Sequence, residues 1–165
     1  MFKNRNSRIN DFLIAIVVII IASFLSLFNF NNEKIVGNAI LSDGDSIIIA
    51  DKKIRLLDMD APELFQFCGE KTKRYACGQH SKKHLGKLIN GQKVVCYSDK
   101  KDQYQRFLAI CYAGETNLNQ QMVIDGWAVS YYGYPLEEDQ ARREKRGIWS
   151  SPFENPRNWR RSNKL

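Results

Sequence analysis

The chain of 165 residues is 44% hydrophobic and 26% charged, and its formal net charge is +7. This balance fits one globular domain with a short appendage, and it excludes a repeat array, a low-complexity chain and a second domain with its own core. The positive charge is typical of proteins that meet a polyanion, either nucleic acid or the anionic lipid of a membrane.

The N-terminal segment has the pattern of a membrane anchor. Residues 1–11 contain three basic side chains, and the seventeen residues from Phe12 to Phe28 carry no charge. At about 1.5 Å of rise per residue, such a helix crosses or nearly crosses the bilayer core. The basic residues keep the N-terminus in the cytoplasm, and no small-x-small cleavage site follows. We therefore predict a cytoplasmic segment at 1–11, a transmembrane signal-anchor at 12–30 and an extracytoplasmic domain, periplasmic or extracellular, at 31–165.

The four cysteines all lie in the predicted exported domain, where thiols oxidise. Four cysteines allow three pairings. Two strands around a polar turn place Cys96 opposite Cys111 in the simplest register, which leaves Cys68 to pair with Cys77. Each disulfide of this loop length contributes about 2–4 kcal/mol to a small domain.

A zinc site is the alternative for part of this cysteine set. Cys68, Cys77, His80 and His84 have a spacing similar to that of a two-Cys, two-His site, and the histidines share one helix face. The cysteine spacing is wider than in usual zinc knuckles, and an oxidising compartment favours the disulfide. A zinc-stabilised interaction domain therefore stays a third possibility, with exposed histidines as the simpler interpretation.

Strands are predicted first along the exported domain. The pattern predicts three consecutive strands, a helix that ends at Asn90-Gly91 and then the hairpin that carries two cysteines. An Asp43-Gly44 turn joins the first two strands. The predicted bounds of the three strands and the helix are Lys34–Leu41, Ser46–Ala50, Lys53–Met59 and Gln79–Ile89.

Helices are predicted in the second half. Asn117 caps a helix that runs through Asp125, and Pro135 opens another over Leu136–Arg146. Five short strands with three helices indicate an α+β fold, a five-stranded oligonucleotide/oligosaccharide-binding barrel (OB-fold) preceded by the transmembrane helix.

The C-terminal tail after Ser151 is rich in basic and aromatic residues. We expect its aromatic side chains, Phe153 and Trp159, to dock on the barrel. The basic side chains are expected to stay solvated; these are Arg157, Arg160, Arg161 and Lys164.

Three charged turns carry the residue types that phosphodiester hydrolysis requires. Such a reaction needs a water made nucleophilic and positive charge directed at the phosphoryl oxygens. Asp45 and Asp60 are candidate ligands for a hard cation, and Glu63 is a candidate base. Arg55 and Arg106 have the planar donor geometry that suits phosphate. Strand alternation puts Arg55 and Asp60 on opposite faces of a flat sheet, so their convergence requires a bend.

In order and spacing, these turns resemble the staphylococcal nuclease (thermonuclease) family. The turns read Asp-Gly-Asp-Ser at 43–46, Arg-Leu-Leu-Asp-Met-Asp-Ala-Pro-Glu at 55–63 and Tyr-Gln-Arg at 104–106. The resemblance covers about Val36 to Trp149. It implies a calcium-dependent nuclease that cleaves DNA and RNA with low sequence specificity and leaves 3′-phosphates. Single-stranded or flexible nucleic acid is the expected substrate, and no protein partner is predicted.

The resemblance also implies a role for each site residue. The implied calcium ligands are the carboxylates of Asp45 and Asp60 and the carbonyl of Ala61; Glu63 is the implied base, and Arg55 and Arg106 bind the phosphate. The implied nucleotide-contacting residues are Tyr104, Tyr132 and Tyr134, although packing at the barrel rim explains the last two equally well.

Three positions depart from the family pattern. Ala61 replaces a frequent threonine, and Asp58 adds a carboxylate beside the cluster. Gln105 stands where glycine usually precedes the second arginine, so the turn loses the freedom for positive φ. Because degenerate relatives can keep a fold without its chemistry, a barrel that binds nucleic acid or another polyanion without cleaving it is the main alternative to an enzyme. All five charged site residues are present, which favours the enzyme.

Overall fold

The structure is a computed structural model that describes residues 13–21 and 33–164. The chain divides into two units, Met1–Asn31 and Asn32–Leu165. In the first unit, residues 13–21 form helix α1, whose side chains are exposed. No helix within the described residues is both long and apolar enough to cross a membrane. The predicted segment 1–11 and most of the predicted anchor lie outside the described residues, so the anchor and its orientation stay predictions.

The second unit is built on a curled sheet. The strands are β1 (Glu33–Gly37), β2 (Ile40–Leu41), β3 (Ser46–Ile49), β4 (Lys52–Leu56), β5 (Met59–Asp60), β6 (Val94–Lys101), β7 (Phe107–Ala113), β8 (Thr116–Asn117) and β9 (Val129–Ser130). The main sheet has the strand order β1-β6-β7-β4-β3-β2, with β8 paired to β7, and β5 pairs separately with β9. β4 and β7 are parallel, whereas the other pairs are antiparallel.

The two outer strands of the main sheet are consecutive in the chain. β1 and β2 lie at opposite ends of the strand order, yet only residues 38 and 39 separate them. They correspond to the single strand predicted over Lys34–Leu41, which is bent and pairs at both ends of the sheet. The sheet therefore curls back on itself and, with the helices, gives an α+β unit that fits the predicted OB-fold.

Helices pack around this sheet and at its end. They are α2 (Cys77–Ile89), α3 (Leu118–Ile124), α4 (Pro135–Arg143), a 3-10 helix (Gly147–Ser150) and α5 (Pro156–Ser162). The three predicted helices correspond to α2, α3 and α4, but the prediction omitted α5. Pro156 is the first residue of α5, and the Asn155 side chain accepts a hydrogen bond from the Arg157 N–H at 3.0 Å. This cap and the fixed φ of proline start a helix in a segment predicted only to dock.

The core lies inside the curled sheet and against α2 and α3. Side chains of β7 alternate between buried and partly buried along the whole strand, which is the period of a strand with one face on a core. Fully burying one large aliphatic side chain contributes about 1.5–3 kcal/mol. The largest buried aliphatic residues include Ile47, Ile49, Ile54, Leu56, Leu85, Leu118 and Met122.

The strand predicted over Lys53–Met59 is interrupted. β4 ends at Leu56, and β5 begins at Met59 and pairs with β9 instead of the main sheet. Between them Asp58 adopts a left-handed conformation with φ 62. This turn breaks the alternation of side chains and supplies the bend that lets Arg55 and Asp60 meet.

Both predicted disulfides are present. One joins Cys68 to Cys77 and the other joins Cys96 to Cys111, which face each other in the register of β6 and β7. Because these bonds consume the cysteine sulfurs, the zinc alternative is wrong for this structure. His84 instead pairs with Asp125, with 2.7 Å between Nε2 and Oδ2.

Candidate active site

A cavity of about 900 Å³ opens where the turn before β3, β4 and the turn after β4 meet the β6–β7 turn and α5. Most of the predicted catalytic and substrate-binding residues line it. They are Arg55, Glu63, Tyr104, Arg106 and Tyr132, together with the predicted metal ligand Asp45. The sequence spacing could not show whether the three charged turns meet in space. The structure shows that residues from all three turns line one cavity.

On one side of this cavity lie Asp45, Arg55 and Glu63, whereas the predicted metal ligands Asp60 and Ala61 are not among the residues that line it. Asp60 bonds to Arg55, and we call Asp45, Arg55, Asp60 and Glu63 together the carboxylate wall. Arg55 lies between two carboxylates: its Nη1 donates to Asp45 Oδ1 at 3.0 Å and its Nη2 donates to Asp60 Oδ1 at 2.6 Å. Asp45 is 3% exposed and Asp60 is fully buried. Buried carboxylates require such partners, since an unpaired buried charge is costly.

The turn before β3 holds Asp45 in place. The Asp45 N–H donates to Asp43 Oδ1 at 3.0 Å, and the Ala61 N–H donates to Asp45 Oδ2 at 3.0 Å. Gly44 packs so closely that an added Cβ would lie 2.1 Å from Ser81 Oγ and 2.8 Å from the Cβ of Ala61. Only glycine therefore lets this turn approach α2 and the β5 end together.

Burial and charge have opposite effects on the pKa values of Asp45 and Arg55. Burial raises the pKa of Asp45 to about 7; the Arg55 charge opposes that shift, and the carboxylates of Asp43 and Asp60 add to it. For Arg55, burial lowers the pKa, but the neighbouring Asp45 and Asp60 outweigh burial and raise it. Arg55 thus limits the effect of burial on Asp45 without cancelling it.

Glu63, the last residue of the wall along the chain, lies on the loop after Pro62. Its N–H donates to Gln66 Oε1 at 3.2 Å, and Gln66 Nε2 donates to the Glu154 carbonyl at 2.6 Å. Gly78 in α2 packs against the Glu63 carbonyl, and a Cβ there would lie only 1.7 Å from that oxygen. The loop that carries the candidate base is therefore fixed by α2 on one side and by the C-terminal tail on the other.

Arg160 is a site residue that the sequence did not indicate. Its Nη1 donates to Asp60 Oδ1 at 2.9 Å and to Glu63 Oε1 at 2.7 Å, and its Nη2 donates to Asp60 Oδ2 at 2.9 Å. The expectation that this side chain stays solvated is wrong, because three charge-assisted hydrogen bonds outweigh the cost of removing it from water. These bonds, led by those to Asp60, also raise the pKa of Arg160.

The opposite side of the cavity, which we call the hairpin tip, is the turn from Asp102 to Arg106. Arg106 Nε donates to Asp102 Oδ2 at 2.7 Å, and the N–H groups of Tyr104 and Arg106 donate to Asp102 Oδ1 at 2.9 and 3.0 Å. Gln105 has φ 62, so the side chain that replaces the family glycine adopts the left-handed conformation. Arg106 nevertheless lines the cavity and lies 5.5 Å from the Tyr104 ring centroid.

The predicted tyrosines separate into two groups. Tyr104 and Tyr132 line the cavity and are 69% and 76% exposed, as aromatic platforms for bases require. Tyr134 is not among the residues that line the cavity; it precedes Pro135 and packs against the core. Tyr131, which the sequence did not single out, lines the cavity instead and forms an edge-to-face pair with Tyr132 at 4.5 Å.

Comparison with known proteins agrees with this geometry. A family model described as staphylococcal nuclease homologue matches residues 53–151. The chain belongs to the staphylococcal nuclease family. It is therefore an enzyme, a hydrolase of the endonuclease type, as the resemblance of the three turns predicted.

Several similar proteins carry nuclease names, and three of them illustrate the range of similarity. A micrococcal nuclease from Shigella flexneri is 32% identical, over 92% of this chain and 92% of the relative. An uncharacterized endonuclease from Haemophilus influenzae is 36% identical, over 76% of this chain and 72% of the relative. A third, an uncharacterized endonuclease from Escherichia coli O157:H7, is 34% identical over 66% of this chain and 72% of the relative.

This staphylococcal-type nuclease offers oxygen ligands suited to a hard cation. Asp45 and Asp60 both contact the guanidinium of Arg55, so their carboxylates are neighbours, and Ala61 follows directly. Within residues 13–21 and 33–164, no group of three or more Asp, Glu, His or Cys side chains forms a metal site. Two carboxylates and one backbone carbonyl are nevertheless oxygen donors of the kind that a hard cation takes, and guanidinium groups are the present partners of both carboxylates.

Proposed function

We propose that this nuclease is calcium-dependent and hydrolyses phosphodiester bonds of DNA and RNA with low sequence specificity, leaving 3′-phosphates. The observation that carries the proposal is the single cavity lined by Glu63, Arg55 and Arg106 beside two buried carboxylates. A general base, hydrogen-bond donors for the phosphoryl oxygens and ligands for a cation are then available to one substrate phosphate.

Each residue has a chemical task in this proposal. Glu63 accepts the proton of the attacking water, which requires its carboxylate to be ionised. Arg55 and Arg106 donate hydrogen bonds to the phosphoryl oxygens as negative charge increases in the transition state. Asp45, Asp60 and the Ala61 carbonyl would hold the calcium ion, which when bound supplies further positive charge to the phosphate.

The exposed aromatic residues support binding of single-stranded or flexible nucleic acid. Tyr104 and Tyr132 are exposed at the cavity, and every base has a face that can stack on such rings. Stacking reads no hydrogen-bonding edge, so it gives affinity without strong sequence preference. A duplex would have to open before its bases reached these rings, which favours single strands as substrates.

We also propose that the nuclease unit acts outside the cytoplasm, anchored through residues 12–30. The uncharged run Phe12 to Phe28 after three basic residues and the two disulfides support this location. Membrane fractionation before and after alkaline carbonate extraction tests the anchor. Protease digestion of intact cells or spheroplasts tests whether the nuclease unit lies outside the cytoplasm. A chain that carbonate releases, or that protease cannot reach in spheroplasts, contradicts the proposal.

The test of the proposed reaction is cleavage with defined ends. The full chain is incubated with 5′-labelled single-stranded DNA or RNA, in calcium and in excess chelator. We expect cutting of both polymers in calcium alone, and products that a polymerase extends only after phosphatase treatment, because their 3′ ends carry phosphate. Binding of the same oligonucleotides without calcium-dependent cutting would contradict the proposal and support a barrel that only binds polyanions.

A further inference from the structure

We propose that Arg160 is a resident counter-cation of the active site, which holds Asp60 and Glu63 in the calcium-free enzyme and competes with the divalent ion for Asp60. The proposal rests on the proposed function, because it concerns the same site. It adds a positioning residue from α5, which lies beyond the family match at residues 53–151.

The carboxylate oxygens of Asp60 are already occupied by guanidinium donors. Both of its oxygens accept hydrogen bonds from Arg160, and Oδ1 accepts a further bond from Arg55. A carboxylate has about four lone-pair sites, and three of those on Asp60 are occupied. Asp60 is fully buried, so an ion cannot approach it from open solvent. A calcium ion that bonds directly to Asp60 therefore has to replace at least one guanidinium donor.

Charge supports the same conclusion. Arg160 places a full positive charge in hydrogen-bond contact with the carboxylates of both Asp60 and Glu63. A divalent cation at Asp60 would meet that charge at short range and in a partly buried site, where screening by water is weak. Of the two guanidinium groups on Asp60, Arg55 is also held by Asp45, whereas Arg160 is held by Asp60 and Glu63 alone among the described residues. Arg160 is thus the partner that can leave without separating Arg55 from Asp45.

The tail that delivers Arg160 is attached near Glu63. The Gly69 N–H donates to the Pro152 carbonyl at 2.7 Å, and Gln66 bonds to the Glu154 carbonyl. Ser162 Oγ donates to Glu154 Oε1 at 3.1 Å. These bonds hold the backbone of α5 beside the loop 63–69, so rotation of the Arg160 side chain releases Asp60 while the helix stays in place.

Two consequences follow for the enzyme. Without calcium, the single positive charge of Arg160 bridges two neighbouring carboxylates that would otherwise repel each other, and so keeps them in position. With calcium bound, the Arg160 side chain is released into the cavity that it already lines. Removal of the guanidinium should therefore strengthen calcium binding, since the competitor and its charge are both absent.

Calorimetric titration of calcium into the full chain, without substrate, tests the proposal. Arg160→Gln keeps a long polar side chain but removes the charge. Arg161→Gln is the matched control, because Arg161 is the exposed next residue of α5 and the same unit of net charge is lost. We expect Arg160→Gln to bind calcium at least about fivefold more tightly than wild type, within the usual range of coupling between competing sites. The control should stay within about twofold of wild type.

Arg160→Lys provides a second variant in case Arg160→Gln folds poorly, which chemical denaturation will show. Lysine keeps the charge but loses the two-pronged contact with Asp60, so its calcium affinity should lie between those of wild type and Arg160→Gln. The proposal is overturned if either folded variant binds calcium as tightly as wild type or more weakly. It is also overturned if neither wild type nor any variant binds calcium detectably. Loss of calcium-dependent cleavage from wild type would instead refute the proposed function, so the two failures are distinct.

Discussion

The carboxylate wall and the hairpin tip each present one arginine to the cavity, but they hold it in different ways. Arg55 contacts carboxylates from the turn before β3 and from β5, and both carboxylates are buried. Arg106 contacts Asp102, four residues away in the same turn. The wall therefore depends on the assembled fold, whereas the tip is a local structure on the surface. Changes in the wall should cost stability as well as activity, while changes in the tip should leave the fold nearly intact.

The largest effect on stability is expected for Asp45→Ala in the wall. The substitution removes one of the two carboxylate partners of Arg55 and the acceptor of the Ala61 N–H in a buried site, so that Asp60 alone remains for Arg55. Removal of one member of a buried ion pair costs about 3–5 kcal/mol. Urea unfolding of wild type and variant, both in chelator, measures this difference. A loss below about 1 kcal/mol would show that the ion pairs of the wall contribute no more to stability than a surface ion pair does.

A smaller loss is expected for Gly78→Ala, which moves Glu63 without changing any charged residue. The added Cβ would lie 1.7 Å from the Glu63 carbonyl, so the backbone has to shift. We expect a loss of about 1–3 kcal/mol in stability. We also expect a decrease of at least about tenfold in kcat, because catalysis is sensitive to displacements of about 1 Å.

Gly86→Ala in the same helix is the matched control for Gly78→Ala. Its Cβ would meet only the end of the Leu41 side chain, at 3.1 Å. This variant should keep its activity and lose little stability, since alanine also favours the helix. Equal effects of the two substitutions on kcat would contradict the role of Gly78 in positioning Glu63.

For the hairpin tip, Asp102→Asn should have a smaller effect that depends on pH. Burial opposes ionisation of Asp102, but hydrogen bonds from Arg106 and Tyr104 outweigh it and lower the pKa. Its charged form therefore stabilises the fold fully above the unfolded-state pKa of about 3.9, and this contribution disappears as pH falls through the lower folded-state value. Thermal unfolding of both proteins at neutral pH and in acid should show a difference that vanishes in acid. A difference of the same size at both pH values would contradict this origin.

The smallest effect is expected for Gln105→Gly, also in the tip. Gln105 has φ 62, which glycine adopts without the steric cost that a side chain meets there. The gain is offset in part by the greater freedom of glycine in the unfolded chain. We expect stabilisation of up to about 1 kcal/mol, visible as a small rise in Tm with Arg106 still in place. A fall in Tm would show that the left-handed turn is not strained.

Local patterns in the sequence predicted much of the fold. The spacing of apolar residues and the glycine and proline signals gave α2 to α4 and the cysteine-bearing hairpin, because these features depend on neighbours along the chain. The bend at Asp58 was not predicted, since it depends on pairing of β5 with the distant β9. Tyr134 was assigned to the substrate surface by the family resemblance, and no local pattern shows which ring in this aromatic turn faces the core.

Arg160 marks the limit of sequence reasoning at the site. The Asn155-Pro156 signal could have predicted the start of α5, since an asparagine cap before proline is a common helix start. The contacts of Arg160 lie 97 and 100 residues away along the chain, and no local pattern encodes them. The family resemblance did not help either, because it ended near Trp149.

The most direct test of the active-site assignment is the rate at which the full chain and its Glu63→Gln variant cleave 5′-labelled single-stranded DNA in saturating calcium. Glutamine keeps the size of the side chain and can still bond to Arg160, but it cannot accept the proton of the attacking water. We predict that the variant folds and binds DNA but that its kcat falls by at least about a hundredfold, within the usual contribution of a general base. A variant that cleaves as fast as wild type would contradict the assignment of this cavity as the catalytic centre.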